Sequence, residues 1–121
     1  METLLVDLKD LLLKDLSARL PYGVKGINQY GEIVNLDHQT DYSSYMSIKN
    51  AALKHGWKPY LFPLPSMTEE QEKELNLYLR LDKEPIMRSV KEIDWYNKNH
   101  FDYRGLIEKG LAIDATNLNI Y

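Results

Sequence analysis

The sequence predicts an α+β fold: an N-terminal amphipathic helix, a small antiparallel sheet or partial barrel, then two to three C-terminal helices. Three observations carry that expectation. Leu5, Leu8, Leu12, Leu16 and Leu20 recur at helical spacing. Glycine-punctuated, β-prone runs follow in residues 22–36. From Ser66 onward, Ser/Thr residues stand three positions before Glu or Gln, the pattern that opens helices. Strands and helices are segregated along the chain, which argues against an alternating α/β fold.

The first helix is expected over residues 3–19, with Thr3 as N-cap and Pro21 as its stop. Asp7, Lys9, Asp10, Lys14 and Asp15 fall mostly between its leucines. Residues 22–27 and 30–36 flank the polar Asn28-Gln29 link, with Gly26 and Gly31 nearby, and read as a hairpin. Residues 37–41 read as a loop, 42–48 as a third strand, and 50–55 as a short helical turn ended by Gly56. Pro59 and Pro63 then restrict residues 57–63 to an edge strand or an irregular segment. Thr68 with Gln71, or Ser66 with Glu69, caps a helix whose buried stripe is Leu75, Tyr78 and Leu79. Pro85 breaks it, and Ser89 with Glu92 opens the next, which Asn99-His100 ends. Asp102 is placed to cap a last short helix through Leu106, Ile107 and Lys109, stopped by Gly110.

A chain of 121 residues, 44% apolar and 27% charged, reads as one domain, 1–121, able to bury a core. Without cysteine it has no disulfide, thiol nucleophile or thiolate metal site. The charges among the N-terminal leucines leave no signal-peptide core or transmembrane run, so a cytoplasmic location is expected and no membrane partner. With 15 basic and 18 acidic residues, net charge is −3, which gives no global field for nucleic acid. Locally the balance differs: Lys49, Lys54 and Lys58 lie in a stretch free of acids, followed by Glu69, Glu70, Glu72 and Glu74.

Four pieces carry a resemblance: residues 11–24 (LLLKDLSARLPYGV), 58–61 (KPYL) running into 65–70 (PSMTEE), Asp94-Trp95, and residues 100–115. In these the chain resembles a family of short uncharacterised proteins encoded in phages, prophages and mobile elements of gut Bacteroidetes. The resemblance covers about half the chain. The middle, residues 25–57, is variable, and residues 50–56 depart from the family's pattern as an insertion would. It implies a phage-type context and a cytoplasmic host, and carries over no catalytic residue.

No nucleophile elbow, phosphate-cradling glycine loop or metal-binding helix motif is present. His38 beside Asp37 and Asp41, and His100 beside Asp102, are the nearest approaches to a metal or general-base site, and such loop histidines are commonly solvated or capping. No catalytic residue, metal or cofactor is assigned. The two C-terminal helices also have the outline of a helix-turn-helix, with 97–102 as the turn and 103–109 as the recognition helix, but Leu106 and Ile107 fit packing better than groove insertion. Arg104 reads as an ion-pair anchor to Asp102 or Asp94.

Two binding readings remain. Nine tyrosines and two tryptophans suggest a protein-interaction or homodimer face involving Tyr22, Tyr30, Tyr45, Tyr103 and Arg104, with Tyr42 and Tyr60 also available. The alternative is weak nucleic-acid binding by segment 45–62, with Lys49, Lys54 and Lys58 on phosphates and Trp57, Tyr60 and Phe62 stacking on bases. The leading expectation is a non-enzymatic accessory protein that binds a host or phage protein.

Overall fold

Leucine spacing builds the first element, α1 (Glu2–Arg19), whose Leu12, Leu13 and Leu16 enter the core. The structure is a computed structural model that describes residues 2–36 and 56–121, with side chains from Leu8 on. Thr3 lies inside α1 rather than capping it. The expected strand at 42–48, the helical turn at 50–55, and Tyr42, Tyr45, Lys49 and Lys54 lie outside the described residues.

The hairpin forms as expected: β1 (Val24–Ile27) pairs antiparallel with β2 (Ile33–Leu36). Asn28 closes it. Its side-chain oxygen accepts the backbone N–H groups of Tyr30 and Glu32 at 2.9 and 3.0 Å, an Asx turn. Gly31, at φ 78°, supplies the left-handed step beside it.

β3 (Lys58–Pro63) is the centre of the sheet, not an edge. It pairs antiparallel with β1 through Lys58 and Pro59. It pairs parallel with β5 (Ile113–Asp114) through Tyr60 and Leu61, and parallel with β4 (Phe101–Asp102) through Phe62 and Pro63. Each ladder covers two residues of β3, so a proline at 59 or 63 forfeits at most one rung of a short pairing. The five described strands therefore form a mixed sheet, where a purely antiparallel one was expected.

Between β1 and β3 one rung is made by a side chain. The register that pairs Gly26 with Pro59 would next pair Lys25 with Tyr60. There the Tyr121 hydroxyl stands between them, accepting Lys25 N–H at 2.9 Å and donating to the Tyr60 carbonyl at 2.9 Å.

After a 3₁₀ turn, Leu64–Ser66, the helix α2 (Glu69–Arg80) opens on the expected capping box. Gln71 N–H donates to Thr68 Oγ1 at 3.1 Å, and Thr68 N–H to Gln71 Oε1 at 2.9 Å. α3 (Pro85–Lys98) begins four residues before the expected Ser89 cap, because Pro85 takes the first helical position, where its missing N–H costs nothing. Ser89 Oγ donates back to the Pro85 carbonyl instead. His100, at φ 65°, ends α3 in the left-handed region.

The expected last helix is a run of turns. Gly105 and Gly110, at φ 74° and 73°, bracket too few residues to nucleate a helix. Asp102 still works as a cap, its two oxygens each accepting a backbone N–H at 2.9 Å, from Leu106 and Ile107.

Side-chain alternation on β3 divides the core. Leu61 joins α1, Val24, Leu36, Trp57 and Leu106. Its neighbour Phe62 faces the other way, toward Leu75, Trp95 and Phe101 under α2 and α3. Trp95 stacks on Phe101 with ring centres 5.6 Å apart. The sheet thus seats the α2–α3 pair with one face of each helix committed to the core. Among the described residues no helix is long and apolar enough to cross a membrane.

Candidate functional site

The helical period sets what α2 shows to its surroundings. Leu75 is buried, with Tyr78 and Leu79 packed beside it, as the sequence indicated. Leu77 and Leu81, four apart on another face, stay 63% and 76% exposed. With Glu74 and Tyr78 they form one wall of a groove of about 490 Å³. Asp94, Trp95 and Lys98 of α3 form the other wall, and Tyr22, just beyond α1, closes it.

Hydrogen bonds fix the groove's polar groups. Tyr22 donates its hydroxyl to Asp94 Oδ1 at 2.7 Å, which ties the α1 exit to α3. That bond, and to a smaller degree burial, raise the Tyr22 pKa. Trp95 Nε1–H donates to Glu74 Oε1 at 3.3 Å and so links α3 to α2. Lys91 adds a second tie, lying 4.9 Å from the centre of the Tyr78 ring.

The apolar exposure continues on α3. Ile86, Val90 and Ile93 follow the i, i+4, i+7 spacing of one helix face, and all are exposed, Ile86 by 78%. Met87 is exposed beside them. At ~100° per residue this stripe lies about a quarter-turn from Asp94 and Lys98. Scattered exposed apolar side chains are ordinary. A patterned set on one helical hairpin, beside an apolar groove, is a mark of interaction surfaces.

A second constellation is centred on the buried pair Asp15 and Arg19. Arg19 is fully enclosed and donates from Nε to Asp15 Oδ2 at 2.7 Å, and from Nη2 to Asp15 Oδ1 at 3.2 Å and to the Phe101 carbonyl at 2.6 Å. Arg104 Nε lies 3.2 Å from Asp15 Oδ1, without the alignment of a hydrogen bond. Its anchor is therefore Asp15, not Asp102, which caps the following turns, nor Asp94, which holds Tyr22. Both guanidinium groups lie over the Tyr103 ring, 5.3 and 5.1 Å from its centre. Tyr103 in turn donates to Asn97 Oδ1 at 2.8 Å. This cluster joins α1, α3 and the C-terminal turns. Most of its polar groups are held by one another, which makes it a structural knot, although Arg19 Nη1 and Arg104 Nε have no hydrogen-bond partner among the described residues.

The sequence-selected residues scatter. Tyr22 lines the groove, Tyr30 is 65% exposed at the hairpin tip, and Tyr103 and Arg104 form the half-buried side of the Asp15–Arg19 knot. Trp57 and Tyr60 are core residues, with Trp57 Nε1–H donating to the Val34 carbonyl at 3.1 Å. Neither ring is free to stack on a base. Lys58 is exposed. Leu77, Leu81 and Lys98 were missed in the sequence. For the two leucines the signal was a second apolar pair, four residues apart and off the stripe that fills the core; Lys98 carried none.

His100 stacks on Tyr121 with ring centres 3.6 Å apart, and its Nδ1 is buried without a partner among the described residues. Burial, then the charges of Arg19 and Lys25, push its pKa down to about 4. The unfolded imidazole takes a proton near its ordinary value of about 6.5, so the unfolded state binds more protons between the two values. Stability is then full above about pH 6.5 and falls as pH drops toward 4, by on the order of 1–3 kcal/mol after allowing for partial exposure. Urea midpoints at pH 7 and pH 4.5 measure this. His100→Asn, which tolerates the left-handed backbone, flattens the difference.

Comparison with protein-family models, with curated proteins and with solved structures finds no match to this chain.

Proposed function

We infer that this chain is a non-enzymatic protein-interaction module whose contact surface is the α2–α3 hairpin. The carrying observation is the exposed apolar set on this hairpin: Leu77 and Leu81, which line a groove of about 490 Å³, and Ile86, Met87, Val90 and Ile93 on α3. Leaving such side chains in water forgoes roughly 25 cal/mol for each Å² that a partner would bury. The groove's acids hold tyrosine and tryptophan donors, an arrangement that shapes a surface. The resemblance to phage and mobile-element proteins makes a host or phage protein the expected partner, met in the cytoplasm. The nucleic-acid reading is weakened by the burial of Trp57 and Tyr60, two of its three stacking rings, and by the packing of the third, Phe62, against the Leu75, Trp95 and Phe101 cluster.

The test is capture from a native bacterial lysate by the tagged chain, with and without nuclease. A stoichiometric protein that survives nuclease is the expected result. Recovery that vanishes with nuclease would overturn the reading and return attention to Lys49, Lys54 and Lys58.

A further inference from the structure

The groove has a length, a lining and a charge, and together they specify an occupant. Along α2 and its C-cap it runs from Glu74 to Leu81, at positions i, i+3, i+4 and i+7. Seven residues at a rise of 1.5 Å span about 10 Å, or two helical turns. Its apolar contacts are Leu77, Tyr78, Leu81 and Trp95, while its ionic groups are Glu74, Asp94 and Lys98. Acids therefore outnumber bases in the lining, within a chain of net charge −3. Glu74 and Asp94 each use one oxygen to hold an aromatic donor, and each keeps a second oxygen that accepts nothing from the described residues.

We propose that the groove binds one amphipathic helix of a partner protein, two turns of whose apolar ridge lie between α2 and α3, flanked by lysine or arginine. This rests on the interaction reading above and adds the chemistry of the partner. An apolar ridge at i, i+3 or i+4, and i+7 matches a groove of this length. The flanking cation meets the free oxygens of Glu74 and Asp94. An acidic helix would meet like charge at both walls. A second copy of this chain carries the same acidic hairpin, with Glu69, Glu70 and Glu72 in the first turn of α2, and so fits less well.

The test uses the full chain and two dye-labelled synthetic helices with the same leucine ridge, one flanked by lysines and the other by glutamates. Fluorescence anisotropy should show saturable binding of the lysine helix and none of the glutamate helix. Leu77→Glu with Leu81→Glu, both on exposed positions, should abolish it. Glu74→Gln with Asp94→Asn should weaken it about tenfold and reduce its salt dependence. Equal binding of the two helices, or unchanged binding by the leucine variant, overturns the proposal. So does a chain that sediments as a dimer through this face and excludes the peptide. The two readings fail separately. If the lysine helix does not bind but a lysate partner is lost from the leucine variant, the basic-helix proposal falls and the interaction module stands. If the variant keeps every partner, both fall.

Discussion

Gly26→Ala is expected to destabilise the fold by about 3 kcal/mol or more, near the top of the range for overpacking a core. The cause is local and steric. A Cβ at Gly26 would collide with Cε2 and Cζ2 of the Trp57 indole and stand 2.5 Å from the Lys58 carbonyl oxygen. Neither obstacle yields easily. The carbonyl belongs to β3, whose Lys58 and Pro59 pair with Ile27 and Gly26. The indole is almost wholly buried, and its N–H is held by Val34. Glycine here gives a core tryptophan its space, with no positive φ involved. Chemical denaturation of Gly26→Ala, Trp57→Leu and the double variant checks the mechanism. Trp57→Leu alone leaves a cavity and is costly. Adding Gly26→Ala to it should cost clearly less than in the wild type, since the indole is gone and the carbonyl contact remains. Strict additivity would show that the indole contact is not the cause.

Asp15→Ala is expected to cost about 3–5 kcal/mol, the range for removing one partner of a buried ion pair. Asp15 is the carboxylate that both Arg19 and Arg104 share. Arg19 has no exposed surface, and its Nη1 already lacks a partner among the described residues. Without Asp15 its charge is stranded in the interior, held only by the Phe101 carbonyl and the Tyr103 ring. The contrast with Asp15→Leu plus Arg19→Met is the informative one. Removing both charges together should cost much less than removing Asp15 alone, because an apolar pair avoids the desolvation penalty. Thermal melts of the single and double variants decide this. A double variant as unstable as Asp15→Ala would mean that packing around Arg19, and not its charge, carries the effect.

The same two sites show where sequence is legible and where it stops. The leucines of α1, the glycine-flanked hairpin, the Thr68–Gln71 box and the stop at Asn99-His100 are local signals. Each forms because residues within four positions of one another decide it. β4 and β5 have two residues each and exist only because β3 lies beside them. No periodicity reports an element that short, so the parallel pairings and the central place of β3 stay hidden. Asp15 and Arg19 show a subtler limit. Their i, i+4 spacing is visible, but their burial depends on Phe101 and Tyr103, more than eighty residues away. Tyrosine abundance suggested an outer face, whereas Tyr60, Tyr103 and Tyr121 hold the sheet and the knot together. The groove needs two helices and Tyr22 in register. Only the second apolar stripe on α2 hints at it in the sequence.

The interaction surface is tested most directly by repeating the nuclease-treated capture with wild type and the Leu77→Glu, Leu81→Glu variant side by side. Both positions are largely exposed, so the variant should melt at the wild-type temperature. A partner held by the wild type and lost from an equally stable variant is the predicted result. A partner retained equally by both would contradict the assignment of function to the α2–α3 hairpin.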